Sequence, residues 1–594
     1  MKINKVKNAI SFLFENGASA FYYKFRARLK VRNVDYSKWI FNHMPSLEIL
    51  DLQRVQNFNF NPKISLIVPA YKTPEQFLRE MIDSVISQTY SNWELCIADG
   101  SGGDAVVEKV LKEYCLRENR IKYVILSNNM GISENTNEAL KLASGEFIAL
   151  MDHDDILTPN ALFEVADCLN NEMDIDIVYS DEDKVSFDLK KYFQPHFKAD
   201  FNIDLFRTCN YINHLFVVRS KLLGQVGGFN REYEGAQDYD LMFRCIEAAG
   251  KIHHIPKILY HWRSHSESTA ENPESKKYAF EAGKRAIQAH YDRVGIKAYV
   301  ENGPLYGLYH TVYKRDENPL ISIIIPNKDH RLDLDKCLSS LFNKSTYKNY
   351  ECVIVENNST ESETFRYYED ITRKYDNVSV VVWNGEFDYS GINNYGVTFA
   401  KGEYLLFLNN DIEIINEDCL EEMLGYCMRG DVGVVGARLF YPNDTIQHAG
   451  VIIGFGGSAG SAFVGQGRYD YGYFARAMST QDYSAVTAAC MMTKKSVFNT
   501  VCGFSRELKV AFNDIDYCLK VRKLGKLVVY NPYAQLYHYE SKSRGLEDTP
   551  EKMQRFKNET EILRSSWKEI FEKGDPYYNP NLSLERFDFS LKPN

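Results

Sequence analysis

One block of this sequence returns at a fixed spacing. Ile64-Ser65-Leu66-Ile67-Val68-Pro69 recurs as Ile321-Ser322-Ile323-Ile324-Ile325-Pro326, and Gly145–Asp152 recurs as Gly402–Asn409. Asn137 and Asn394 keep the same offset of 257 residues. A constant offset from Ile64 to Asp152 means that whole elements were copied with little net insertion. The period is far too long for a solenoid, so the chain carries two copies of one domain. At 594 residues each copy has enough chain to bury its own core without metal or disulfide staples.

Each copy alternates strand and helix. Short apolar runs (Ile64–Val68, Leu95–Ala98, Phe147–Met151) are bounded by turn residues, as buried parallel strands are. Between them Phe77, Met81, Ile82, Val85 and Ile86 recur at helical spacing. The pattern predicts an α/β fold with a doubly wound sheet, whose ligands bind beyond the carboxyl ends of the strands. We place an N-terminal segment at 1–61, the first unit at 62–296, a connector at 297–318 and the second unit at 319–546. A tail over 547–594 reads as helical at first and irregular around Asp575–Pro580.

Charge and cysteine usage narrow the class. Seventy Lys and Arg against 80 Asp and Glu give −10, which argues against a general nucleic-acid binder. Twelve cysteines without a Cys-x-x-Cys pair read as reduced, buried thiols of a cytosolic protein. No run reaches the ~18 apolar residues of a membrane span, and Met1–Leu13 lacks the features of a secretory signal. Met1–Arg32 departs from the average, with eight basic residues against Glu15 alone, interleaved with Phe12, Phe14, Phe21 and Tyr22. That composition suits a helix lying on an anionic bilayer face or an amphipathic helix docked on the protein's own core. The expected location is cytoplasmic and peripheral, at the inner face of the cell membrane.

Polar residues stand where the strands end: Pro69-Ala70-Tyr71, Asp99-Gly100-Ser101 and Asp152-His153-Asp154-Asp155. Aspartates one residue apart at an open strand end hold a hard divalent cation that also takes phosphate oxygens. They also serve as a turn and helix cap, with Asp155 initiating the helix near Pro159. Later, Gln237-Asp238-Tyr239-Asp240 precedes a helical stretch from Leu241, and Asn513-Asp514-Ile515-Asp516 precedes one from Cys518. A carboxylate there either caps the helix, worth ~1 kcal/mol, or faces the cleft to accept a proton. His261 follows Asp238 by 23 residues and His538 follows Asp514 by 24. Recurrence in both copies favours a cleft or metal role for these histidines over simple packing.

As an ordered set, the strand with Pro-Ala-Tyr, Ser87-Gln88-Thr89-Tyr90, Asp-Gly-Ser, the Asp-x-Asp and the later Gln-Asp-x-Asp resemble family-2 glycosyltransferases of the GT-A fold. The likeness covers both units. The tandem arrangement is similar to bacterial enzymes that build surface polysaccharides such as O-antigen, capsule or rhamnose-rich wall glycans. The resemblance implies two tandem GT-A (Rossmann-like) domains with a helical N-terminal segment and a C-terminal tail. It further implies that Pro69, Tyr71 and Asp99 contact the nucleotide. Asp152 and Asp154 would bind the sugar nucleotide and its Mn²⁺ or Mg²⁺, Asp154 directly. Asp238 would be the general base and His261 a further metal ligand. In the second unit Pro326, Asn327, Glu356 and Asn357 fall at the nucleotide positions, Asn409 and Asp411 at the metal motif, Asp514 at the base and His538 at the histidine. The donors implied are UDP- or dTDP-linked sugars and the acceptor a lipid-linked oligosaccharide. Tyr239, Trp262, Tyr483 and Tyr539 are then candidates to stack on sugar rings.

The copies differ in two places. Asn409-Asn410-Asp411 has lost one carboxylate, and 105 residues separate Asn409 from Asp514 where 86 separate Asp152 from Asp238. The extra 19 fall around Gln447–Gly450 and the glycine-rich run Ile453–Gly467, either a loop over the acceptor site or a tight-turning structural segment. The expected function is a bifunctional, metal-dependent, inverting glycosyltransferase of surface polysaccharide synthesis. Two alternatives stay open: one active domain beside a degenerate glycan-binding one, and a processive two-site polymerase.

Overall fold

The computed structural model describes residues 34–264, 277–539 and 549–593. The basic segment Met1–Arg32 lies outside the described residues. The described part of the N-terminal segment forms two short helices, Tyr36–His43 and Leu47–Val55, whose first turns are capped by Asp35 and Ser46. Trp39 of the first sets its ring edge-on against Phe197, with centroids 5.3 Å apart.

The duplication is visible strand for strand. In the first lobe the sheet runs Ile121–Ile125, Trp93–Asp99, Ile64–Ala70, Phe147–Leu150, Phe216–Arg219, Ile177–Ser186, Ile252–Ser264, Ile156–Leu157. In the second the same order is Val378–Val382, Tyr350–Glu356, Ile321–Asn327, Tyr404–Leu408, Cys490–Lys494, Val432–Phe440, Leu527–His538, Ile412–Ile414. Even the register is kept, since Ile64 pairs with Phe147 as Ile321 pairs with Tyr404. The central strands read as unbroken apolar runs because helices cover both of their faces, leaving Ile64, Leu66, Val68 and Leu95 fully buried.

The sheets are mixed and not the purely parallel arrangement that strand–helix alternation predicts. Beyond Phe147–Leu150 the next strand, Phe216–Arg219, is antiparallel, and Cys490–Lys494 does the same beside Tyr404–Leu408. An antiparallel neighbour begins at the end of the sheet where the parallel strands finish. The residues just before Phe216 and Cys490 therefore join the cluster of strand-end loops.

A helix, Lys277–Arg293, and an antiparallel hairpin, Ala298–Asn302 with Tyr309–Tyr313, connect the lobes. They meet through buried polar groups. Arg429 pairs with Asp204 at 2.5 Å, Asn202 exchanges bonds of 2.8 and 2.9 Å with the Asp482 backbone, and Phe197 N–H donates to the Tyr473 hydroxyl at 2.8 Å. The tail forms the helices Pro550–Ser566 and Lys568–Lys573 and then an irregular strap. The strap ties both lobes together: Asp575 accepts from Ile453 N–H and the Ser484 hydroxyl at 2.7 Å each, and Asn579 donates to Asp181 at 2.8 Å. The glycine-rich run is structural. It forms the ribbon Val451–Ile453 with Ala459–Ser461, and Phe455 packs edge-on against Tyr578 and Phe587.

Candidate active site

In the first lobe Pro69 stands one residue before the end of its strand and Tyr71 just beyond it, 43% exposed. Asp99 ends the adjacent strand, fully buried. One of its oxygens accepts from Ser101 N–H at 2.9 Å and from the Ser101 hydroxyl, while Oδ2 has no partner. A buried carboxylate oxygen without a donor costs about 1–3 kcal/mol unless a ligand supplies one. Ser101 Oγ also accepts from Lys72 N–H at 2.7 Å, which laces the two strand-end loops together. Gly100 is required between them, because a Cβ there would fall 2.5 Å from the Asn135 amide.

The acidic turn is held from the neighbouring strand. Tyr260 donates its hydroxyl to Asp155 Oδ2 at 2.5 Å, Arg263 N–H donates to Asp155 Oδ1 at 2.7 Å, and the Arg263 guanidinium reaches the Asp154 carbonyl at 2.6 Å. Asp155 is thus a buried anchor and not the helix cap, a place taken by Asn160. Burial, together with the nearby charges of Asp154 and Asp152, holds its carboxyl well above the ordinary range. Asp152 keeps nearly half its side chain exposed.

Asp238 and Asp514 lie inside the first turns of helices that begin at Gln237 and Asn513, several residues earlier than their apolar patterns predict. Neither caps its helix. Asp238 Oδ2 accepts from the Asn210 amide at 3.0 Å, and Asp514 Oδ2 accepts from Ala488 N–H at 3.1 Å. Both are half-buried, and both carboxyls are pushed up, first by desolvation. For Asp238 the charge of Asp152 adds to this and His214 opposes it.

His214 is the residue that the motif series missed. Its Nε2 lies 3.8 Å from Asp152 Oδ2, its Nδ1 3.4 Å from Glu182, and its backbone N–H donates to Glu182 at 3.2 Å. Burial disfavours its charge, but Glu182, Asp152 and Asp155 outweigh that and raise it to about 9. Through it, Asp152 and Asp238 share one electrostatic environment. His261, by contrast, is buried and gives Nδ1 to Asp183 at 2.5 Å, an oxygen pair that also accepts from the Tyr36 hydroxyl at 2.5 Å.

The second lobe gathers its residues more tightly. His538 Nε2 lies 3.2 Å from Asp411 and 3.3 Å from the Asn409 amide, and its Nδ1 meets Gln447 at 2.7 Å. Tyr389, also absent from the motif series, donates its hydroxyl to Asn409 Oδ1 at 3.2 Å. The nucleotide positions are closed on themselves. Glu356 accepts from Ser359 N–H at 2.5 Å, the Ser359 hydroxyl at 2.6 Å and the Tyr368 hydroxyl at 2.6 Å. Asn327 bonds Tyr368 and Asn410 at 2.7 Å each, and the Asn357 amide donates to Gly385 O at 2.9 Å. Pro326 precedes Asn327 within the strand.

Among the described residues no group of three or more His, Cys, Asp or Glu side chains converges as a complete ion cage. The donor chemistry nevertheless fits a hard divalent cation that shares its shell with phosphate oxygens. Asp152 and Asp154 crowd negative charge beside Asp155, and Asp411 already faces His538. Of the aromatic candidates, Tyr239 and Tyr483 are core residues, whereas Trp262 is half-buried and lines a cavity.

Two copies of one mixed sheet, each with acidic and amide groups beyond the strand ends and a carboxylate on a facing helix, define a pair of GT-A nucleotide-sugar transferase domains. The chain matches Glycosyl transferase family 2 over residues 65–227 and 322–501 and belongs to that family. It is 43% identical to protein y4gI of Sinorhizobium fredii over 91% of this chain and 59% of that protein. It is 34% identical to the O-antigen biosynthesis protein RfbC of Myxococcus xanthus over 94% of this chain and 43% of that one. The chain thus spans about half the length of these relatives. The crystal structure of S. aureus TarS 1-349 in complex with UDP aligns with 22% identity and a TM-score of 0.31, over 38% of this chain and 65% of that one.

Proposed function

We propose that each lobe transfers a sugar from a nucleotide donor, UDP- or dTDP-linked, to a lipid-linked glycan acceptor, with inversion, in surface polysaccharide synthesis. The observation that carries this reading is a desolvated carboxylate near the strand-end group in each lobe: the charge of Asp152 acts on Asp238, and Tyr389 links Asn409, to which it donates, with Asp514, whose charge acts on it. The relative named for O-antigen biosynthesis supports the surface-glycan context.

In the first lobe the base and ribose would sit against Pro69, Tyr71 and the open oxygen of Asp99. A divalent cation, Mn²⁺ or Mg²⁺, would be held by Asp154 with Asp152 nearby, and by Asp411 with His538 in the second lobe. When bound it offsets the charge that builds on the departing diphosphate. His261 would be a further ligand, its ring oriented by the Nδ1 contact with Asp183. Asp238 is raised toward neutrality by desolvation, so it accepts a proton readily. The acceptor hydroxyl loses its proton to Asp238 as its oxygen bonds to C1 and the C1–O bond to the diphosphate breaks. Assistance of this kind is worth about 10²–10⁴-fold. Asn210 orients the base through its 3.0 Å bond.

A second reading has its own support. Glu356 and Asn327 are engaged by Tyr368 and Asn410, which favours a second lobe that binds glycan and has lost its donor. A screen of UDP- and dTDP-sugars for release of UDP or dTDP by the full chain, with a lipid-linked oligosaccharide acceptor present, tests the proposal. Release with at least one donor, lost in Asp154→Asn, is expected. No release across the panel contradicts it.

A further inference from the structure

A cavity of about 270 Å³ opens beside the first lobe's candidate base, and residues from both lobes line it. The first lobe contributes Glu182, Asn210, Asn213 and Trp262, and the second contributes Phe474 and Arg476. Its polar wall is continuous with the site, because Asn210 holds Asp238 and Glu182 holds His214. Its apolar surface comes from Trp262 and Phe474 together with Phe197, Leu205 and Leu308.

Phe474 is placed there by design of the second lobe's chain. It lies in the stretch that is 19 residues longer than its counterpart in the first copy. Both Phe474 and Ala475 have φ in the left-handed region, 45° and 60°, a conformation that non-glycine residues rarely adopt without support from their surroundings. Anchors on either side hold it. The Tyr473 hydroxyl donates to Pro195 O at 2.6 Å, and Arg476 donates to Gln481 at 2.7 Å and to Tyr577 O at 3.1 Å. One face of the Phe474 ring stacks on His196 with centroids 3.9 Å apart, while the residue remains 43% exposed. An aromatic ring held in this conformation, with open surface on a cavity whose wall mixes apolar side chains with the amides of Asn210 and Asn213 and charged groups such as Glu182 and Lys184, matches a pyranose. Such a ring presents C–H groups to an aromatic face and hydroxyls to hydrogen-bonding side chains. The volume lies at the small end of ligand pockets, which suits one sugar ring.

We propose that this cavity is the acceptor subsite of the first lobe, that it takes a single pyranoside ring, and that the second lobe supplies Phe474 as its specificity-determining wall. The inference rests on the transferase reading above, and it makes the two lobes one working unit: removing the second would blind the first to its acceptor.

The test uses the full chain, with saturation-transfer-difference NMR on a panel of methyl hexosides, N-acetylhexosaminides and 6-deoxyhexosides, and separate titrations with UDP and dTDP. At least one glycoside is expected to take up saturation in the native protein, to lose it fivefold or more in Phe474→Ala, and to regain it in Phe474→Tyr, with nucleotide uptake unchanged. Gln194→Trp, which fills the cavity from an exposed position, gives the same loss and serves where Phe474→Ala lowers the melting temperature. Equal glycoside signals in native and altered proteins overturn the subsite. Nucleotide uptake without any glycoside signal in the native protein also overturns it and leaves the transferase reading intact. Glycoside uptake that depends on Phe474 without any nucleotide uptake upholds the subsite and removes the transferase reading.

Discussion

The hydroxyl of Tyr368 donates to Glu356 at 2.6 Å in the second lobe, at the place where the first lobe leaves Asp99 Oδ2 without a partner. The same strand end is therefore open in one copy and closed in the other. Closing it satisfies a buried carboxylate internally, and a nucleotide would have to displace those bonds to use it.

This predicts unequal nucleotide sites. Titration of the full chain with UDP or dTDP should show a tighter site that Asp99→Ala weakens at least tenfold. Glu356→Gln should change the weaker site less than threefold. Calorimetry measures both, and equal effects of the two substitutions would remove the asymmetry.

The base carries a pH signature. Desolvation raises Asp238, and the Asn210 amide favours its charged form. A base acts deprotonated, so first-lobe turnover should rise with pH along an acid limb lying above the ordinary aspartate value of about 4. Asn210→Ala removes a bond to the carboxylate and should move that limb to higher pH, with donor KM unchanged. A pH profile of kcat for both proteins reads the shift directly.

The acidic turn predicts dependence on a divalent ion. Chelation should lower turnover about 100-fold or more if the ion offsets the leaving-group charge. Mn²⁺ or Mg²⁺ should restore it in the native protein and not in Asp154→Asn. The readout is release of UDP or dTDP, with acceptor present, before and after adding the ion back.

The lobe junction should titrate as well. Asp482 is held well above the usual carboxylate range by burial and by Asp204 beside it. Its folded value is raised, so folding takes up a proton between the unfolded value of about 4 and the folded one. Stability is then complete below that window and falls as pH rises through it, by up to ~1.4 kcal/mol per pH unit for one proton. Asp482→Asn should flatten that fall. Arg429→Ala leaves Asp204 buried without its 2.5 Å partner and should cost about 3–5 kcal/mol. Denaturant melts across pH measure both.

Some of this was legible in the sequence, for physical reasons. Continuous apolar runs bounded by turns mark buried strands, so Ile64–Ala70 and its copy Ile321–Asn327 stood out, and with them the groups at their ends. An apolar run carries no direction, so the antiparallel placing of Phe216–Arg219 was invisible, and with it the position of His214. That histidine also has no counterpart to mark it, because the sheet register sets Ala489 at its place in the second copy. Tyr368 and Tyr389 escaped for the same reason, being side chains that one copy alone inserts into its site. The role of Asp155 could not be told from that of its neighbours, since its partners Tyr260 and Arg263 lie more than 100 residues away. Contacts between residues still further apart in sequence, such as Asn579 with Asp181, 398 residues away, hid the clamping role of the tail.

The central claim is that each lobe carries its own proton acceptor for sugar transfer. Its most direct test is to replace Asp238 and Asp514 singly by Asn in the full chain and follow every product formed from the donors that release diphosphate. We predict that each substitution abolishes a different addition by at least 10²-fold while nucleotide uptake persists. Full product formation by either variant would contradict it.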